Sequence, residues 1–172
     1  MSIPPPSPPP NRRVPERALP AYRFVPGQSP HPFRDPGGHM YTDGSAPAEI
    51  PWDPTVPWSE DPAHHWACEL FDHRYYWEAH EAWEAMWHFA PADSPIRSLL
   101  QGLIQVAASV LKRHVGQDGG ADRLQARSRV RLQTAVDGCG AVVHGIDVPE
   151  LLLRLDRFHA TGKWPLLPLV GS

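Results

Sequence analysis

The segment FDHRYYWEAHEAWEAMW, residues 71–87, gathers ionisable and aromatic side chains at a spacing that suits one face of a helix. At about 100° per residue, a helix unbroken from near Arg74 to His88 puts His73, Trp77, His80, Glu81, Glu84 and His88 in one stripe. Tyr75, Ala79, Ala82 and Met86 then form an apolar flank, with Trp83 and Trp87 on its shoulder. His80 and Glu84 stand at i and i+4, neighbours on a helix surface, and an imidazole beside a carboxylate can close on one divalent ion. Glu81 follows His80 as the general base follows the first ligand in an H-E-x-x-H zinc helix. Here the second His is replaced, giving H-E-x-x-E. Protease chemistry is therefore not inherited, and the oxygen-richer set suits Zn, Mn and Fe alike. The plain alternative is a solvated face carrying Glu78, Glu81 and Glu84, with His80 and Glu84 as a surface pair worth about 0.3–0.5 kcal/mol. Against it stand Trp66, Trp77, Trp83 and Trp87, since large aromatics mark buried or pocket-lining surface and acids among aromatics need partners or a metal.

The elements that must position this stripe are helical. Asp61 and Pro62 supply an N-cap and a first-turn proline for a helix over 61–71. Ser94 and Pro95 repeat the signal before Ile96 to Val115, where Leu99, Leu100, Leu103, Ile104, Ala107, Val110 and Leu111 predict a central helix. Gln101 and Gln105 lie on its polar edge and need hydrogen-bond partners. They either bond a neighbouring helix or orient Glu81 and Glu84 as supporting residues. A fourth helix is expected over Ala121 to Val143, broken or ended by Gly138 and Gly140, and a fifth, capped by Asp147, over Pro149 to Ala160, stopped at Gly162. Trp164 belongs to an apolar tail expected to lie on the bundle.

Seventeen of the 22 prolines fall within the first 62 residues, which excludes regular helix or central strand there. Residues 1–60 are thus expected to be an extended Pro-rich arm, with 1–18 disordered, and residues 61–172 the bundle domain. Within the arm, His31, Asp35 and His39 recur every fourth residue, but the following prolines forbid a helix. They can converge only through the turn that Asp35-Pro-Gly-Gly supplies. The arm either only wraps Phe24, Phe33, Tyr41, Trp52 and Trp58 over the bundle, or also delivers His31 or His39 to the stripe on the second helix and excludes water from it.

The ordered pair ELFDHRYYWEAHEAWEAMWH and LLQGLIQVAASVLKRHVGQ resembles a bacterial family known as domain of unknown function 309, over about residues 61–155. Its members share F-N-x-x-x-Y-x-E-A-H-E-x-x-E-x-x-W followed by Q-G-L-I-Q, and longer ones carry a segment like HPFRDPGGH. The resemblance implies an all-helical bundle and the label of a metal-dependent hydrolase, resting on the same His and Glu residues. The chain departs from the pattern at Asp72, where Asn is usual and where Asp can still cap a helix start, and at Gln117, where Gly-Asn is common.

Other chemistries find little support. A net charge of −3 with mixed signs leaves no footprint for nucleic acid, and Arg123, Arg127, Arg129 and Arg131 spread around their helix as a solvated face. Gly119-Gly120 lacks the Lys and hydroxyl of a phosphate loop, and no G-x-S-x-G elbow occurs. Residues 1–10 have neither the charge nor the apolar run of a signal peptide, and no span suits a membrane, so a cytoplasmic location is expected. Cys68 and Cys139 are isolated and read as small buried hydrophobes. The chain is thus expected to be all-α, a helical bundle of about five helices with an extended N-terminal arm. Its function is expected to be metal-dependent hydrolysis of a small-molecule substrate, with His80 and Glu84 as ligands, Glu81 as base, and His31, Asp35 or His39 completing the shell around the ion. The competing class is a non-catalytic protein that binds metal, ligand or partner with the same face.

Overall fold

Five helices follow from these local signals. The computed structural model describes residues 2–43 and 52–171. Asp61 accepts from the amides of Ala63 and His64 and so starts α1, Pro62–Asp72. The helix ends in a Schellman turn, with Tyr75 N–H on Leu70 O and Arg74 N–H on Phe71 O, both at 2.8 Å. That turn requires a left-handed residue, and Arg74 takes the role with φ of 66°. Hence α2 begins only at Tyr76 and runs to Phe89. The helix expected to be unbroken from near Arg74 starts two residues later, and His73 leaves the stripe to become the C-cap of α1. Asp72 does not cap α2, whose N-cap residue is Tyr75.

Ser94 caps α3, Pro95–His114, which buries Leu99, Leu100, Leu103, Val106, Ala107 and Val110 completely. It lies between α2 and α4, Asp118–Cys139. Gly102 permits the close approach of α4, because a Cβ there would meet Leu132 Cγ at 2.7 Å. The fourth helix ends at Cys139, at Gly140 with φ of 93°, rather than at Val143. A hairpin follows, with β1 at Val142–Val143 and β2 at Ile146–Asp147, paired Val142 to Asp147 and Val143 to Ile146. Its two loop residues, His144 and Gly145, both have positive φ, the geometry that matches strand twist. Three β-branched residues, Val142, Val143 and Ile146, around His-Gly are the signal in the sequence. Asp147 then caps α5, Val148–Thr161, closed by Gly162 in the left-handed region. The tail returns along the hairpin through Val170 N–H to Gly145 O, and Trp164 stacks on Tyr76 at 5.7 Å. Cys68 is buried as expected, but Cys139 is exposed at the end of α4. Among the described residues no helix is long and apolar enough to cross a membrane.

The arm is bound to α1 and α2 by buried acids. Glu69 accepts from the Arg12 guanidinium and from the amides of Arg13 and Val14. Asp72 accepts from Arg13 and from Leu167 N–H, each at 2.7 Å, and so joins the arm to the tail. Ile3, Val14 and Val25 enter the core cluster. Within the stretch expected to be disordered, residues 12–14 supply the donors that two desolvated carboxylates need.

Two expectations follow. Removing residues 1–18 takes away the Arg12, Arg13 and Val14 donors of Glu69 and the Arg13 partner of Asp72, so urea unfolding should show a loss of about 3–5 kcal/mol, the range for breaking a buried pair; an unchanged midpoint would contradict the anchoring role. Burial pushes the Asp72 carboxyl from 3.8 up to about 6, offset in part by the Leu167 amide and by Arg13. A folded value above the unfolded one means that stability linked to Asp72 is complete below about pH 4 and is lost as pH rises through about 6. Asp72→Asn should flatten this window, which amounts to about 3 kcal/mol at most, when unfolding is measured at pH 4.5 and 7.5.

Candidate functional site

α2 is short, but its 3.6-residue period still brings His80, Glu81 and Glu84 together. One donor atom from each lies within 4.8 Å of the others. His80 Nδ1 is 3.2 Å from Glu81 Oε1 and 3.9 Å from Glu84 Oε2. The side chains are 27, 28 and 44% exposed, so the group sits at the surface yet is half covered. His80 Nδ1 itself is buried without a hydrogen bond. An imidazole nitrogen turned towards two carboxylates and without a hydrogen bond has the chemistry of a metal donor, and this set fits a divalent ion. Of the expected apolar flank, Tyr75, Ala79 and Met86 are buried and Ala82 is half-buried, while on its shoulder Trp83 is buried and Trp87 half-buried. Glu78, grouped with the solvated acids in the sequence, is buried instead at 3% exposure. The signal was present: Glu78 stands three residues after Tyr75 and four before Ala82, on the apolar flank.

Glu78 marks where the arm meets α2. Phe24 N–H donates to Glu78 Oε1 at 3.0 Å, and His39 Nε2 lies 3.4 Å from the same oxygen. Burial pushes Glu78 up to about 7, and Glu81 adds to the rise; burial also pushes His39 down. Both shifts disfavour the charged forms, so this contact is not a strong ion pair. His39 is further fixed by the Tyr22 ring at 4.4 Å and by the Tyr22 hydroxyl, which accepts from its amide. His31 packs on Phe24 and Trp77, with ring centroids 5.2 and 5.6 Å away, while its Nδ1 accepts from Phe33 N–H. The Asp35 carboxylate accepts from His31 N–H and closes the turn that the sequence suggested. Trp77 receives Phe24, His31 and Phe33 one turn before His80.

The arm therefore wraps the N-terminal end of α2, but His31, Asp35 and His39 are not in the group within 4.8 Å. Of the supporting glutamines, both are half-buried and Gln105 Oε1 is a buried acceptor without a hydrogen bond. Tyr41 and Phe33 remain partly exposed, while Trp52 is buried and donates to Asp61 at 2.8 Å.

Two further polar groupings have structural explanations. Asp61 accepts from Trp52 and from the α1 amides, and His144 Nε2 lies 3.4 Å away. Burial acts to raise Asp61, yet these bonds hold it down at about 2. Ser109 and His159 are 3.4 Å apart, but the Ser109 hydroxyl donates to Ala121 O and His159 Nδ1 accepts from Arg113. His159 Nε2 then carries the proton towards serine, the reverse of a nucleophile and its base.

Residues 65–124, from within α1 to the start of α4, match the model of the family described as Domain of unknown function (DUF309). The resemblance read over 61–155 is supported across this span, which includes His80, Glu81, Glu84, Gln101 and Gln105 and excludes the arm. No curated protein and no solved structure matches the chain.

Proposed function

We propose that this chain is a metal-dependent hydrolase of a small-molecule substrate, built on the half-covered face of α2. His80 and Glu84 hold one divalent transition ion, Zn, Mn or Fe, and Glu81 is the proton acceptor. The observation that carries the reading is the buried, unbonded Nδ1 of His80 between the carboxylates of Glu81 and Glu84. A bound ion supplies Lewis acidity and makes water a nucleophile near neutral pH. Glu81, adjacent to the ligand pair rather than one turn along, takes the proton from the attacking water and returns it to the leaving group. Trp77, covered by the arm's Phe24, His31 and Phe33, excludes water from one end of the face. Gln101 and Gln105, on one edge of α3, orient the carboxylates by donating from their side-chain amide nitrogens.

Elemental analysis of protein purified without added metal should find close to one equivalent of a transition ion. His80→Ala and Glu84→Ala should each lose it while circular dichroism stays helical. Substoichiometric metal that neither variant changes would leave His80 as the partner of a plain ion pair and remove the reading.

Glu81→Gln keeps size and hydrogen bonding but cannot accept a proton. It should retain fold and metal and lose roughly 10²–10⁴-fold in turnover, the usual contribution of a general base. The assay is a panel of ester, amide and phosphate substrates, with metal measured on the same samples. Undiminished turnover would take Glu81 out of the mechanism. A stability change of about 1–3 kcal/mol with no turnover in either protein would favour a non-catalytic binding module.

A further inference from the structure

The residues of α5 and of the tail that follows it form a second site with a different chemistry. Glu150, Arg154 and Arg157, at i, i+4 and i+7, share one face of the helix. After Gly162 reverses the chain, Lys163, Trp164 and Leu166 return over that face and enclose a cleft of about 280 Å³. Three cations line it against one carboxylate, and that carboxylate is already engaged, since Arg154 Nε donates to Glu150 Oε1 at 2.8 Å. Arg154 is also fixed by the Leu166 carbonyl at 3.1 Å. Arg157 and Lys163 are exposed and, among the described residues, have no ion-pair partner. The apolar wall packs against the bundle. Trp164 is held by the stacked ring of Tyr76 and by Phe158 at 5.4 Å, and Leu166 is an exposed leucine beside it.

We propose that this cleft binds a phosphomonoester carrying a small apolar group. A phosphomonoester is close to dianionic at neutral pH, which matches the two uncommitted cations. The guanidinium of Arg157 offers paired donors to phosphate oxygens, Lys163 adds a mobile point charge, and the apolar group rests on Trp164 and Leu166. None of His80, Glu81 and Glu84 takes part, so the site stands or falls independently of the metal reading.

The test is calorimetric titration of the full chain, without added metal, with phenyl phosphate and separately with phosphatidylcholine vesicles containing phosphatidate. Phenyl phosphate should bind one per chain, weaken with added salt, and lose roughly tenfold or more in affinity in each of Arg157→Gln and Lys163→Gln. Arg123→Gln, which removes an exposed cation on another helix, should change nothing. Binding of phenyl phosphate that both cleft variants weaken identifies a free phosphomonoester. Vesicle binding lost in the same two variants identifies a lipid headgroup as the source of the same chemistry. No binding to either probe, or binding indifferent to both substitutions, overturns the proposal.

Discussion

Four acids on α1 and α2 cannot reach water, and the structure is organised around satisfying them. Asp61, Glu69, Asp72 and Glu78 are all buried, and an ionised carboxylate in the interior costs several kcal/mol unless donors surround it. Each acid draws donors from the arm or the tail, and for Glu69, Asp72 and Glu78 these lie more than fifty residues away. Asp61 takes the Trp52 indole, Glu69 the amides and guanidinium of residues 12–14, Asp72 both Arg13 and the amide of Leu167, and Glu78 the amide of Phe24. A proline-rich segment has unpaired amides to offer because it forms no helix or sheet of its own. The acids and the arm thus solve each other's hydrogen-bonding problem. Cation–π contacts reinforce the same seam, with Arg17 over Trp66 and Arg23 over Tyr75 at 4.1 and 4.4 Å.

That seam decides which face of α2 stays open. With Glu78 turned under the arm and Trp77 covered by Phe24, His31 and Phe33, the uncovered part of the helix carries His80, Glu81 and Glu84. One helix therefore holds acids of two kinds. Glu78 lies in a desolvated environment that favours its protonated form, whereas Glu81 and Glu84 are partly solvated beside an imidazole. The proposed chemistry uses the second kind and relies on the first for rigidity.

Much of this was legible along the chain because it is local. A capping residue with proline in the first turn starts α1, α3 and α5, and the HEAxE spacing depends only on helix periodicity. The Schellman turn at Arg74 was hidden, since arginine is not a residue that announces a left-handed position. The hairpin was hidden in a stretch short enough to pass for the end of a helix, although its Val-Val-His-Gly-Ile-Asp pattern contained the signal.

By itself, the sequence determined the helix count, the apolar face of α3 and the co-facial His80, Glu81 and Glu84, because each depends on residues within two turns of one another. Only the tertiary structure decided which donors the buried acids take, that residues 12–14 are anchored, and that His31 and His39 go to Trp77 and Glu78 rather than into the three-residue group. It also decided that α5 and the tail enclose a basic cleft. Burial and pairing depend on donors more than fifty residues away, as between Arg13 and Asp72, and no periodicity within one segment encodes which distant segment will supply them.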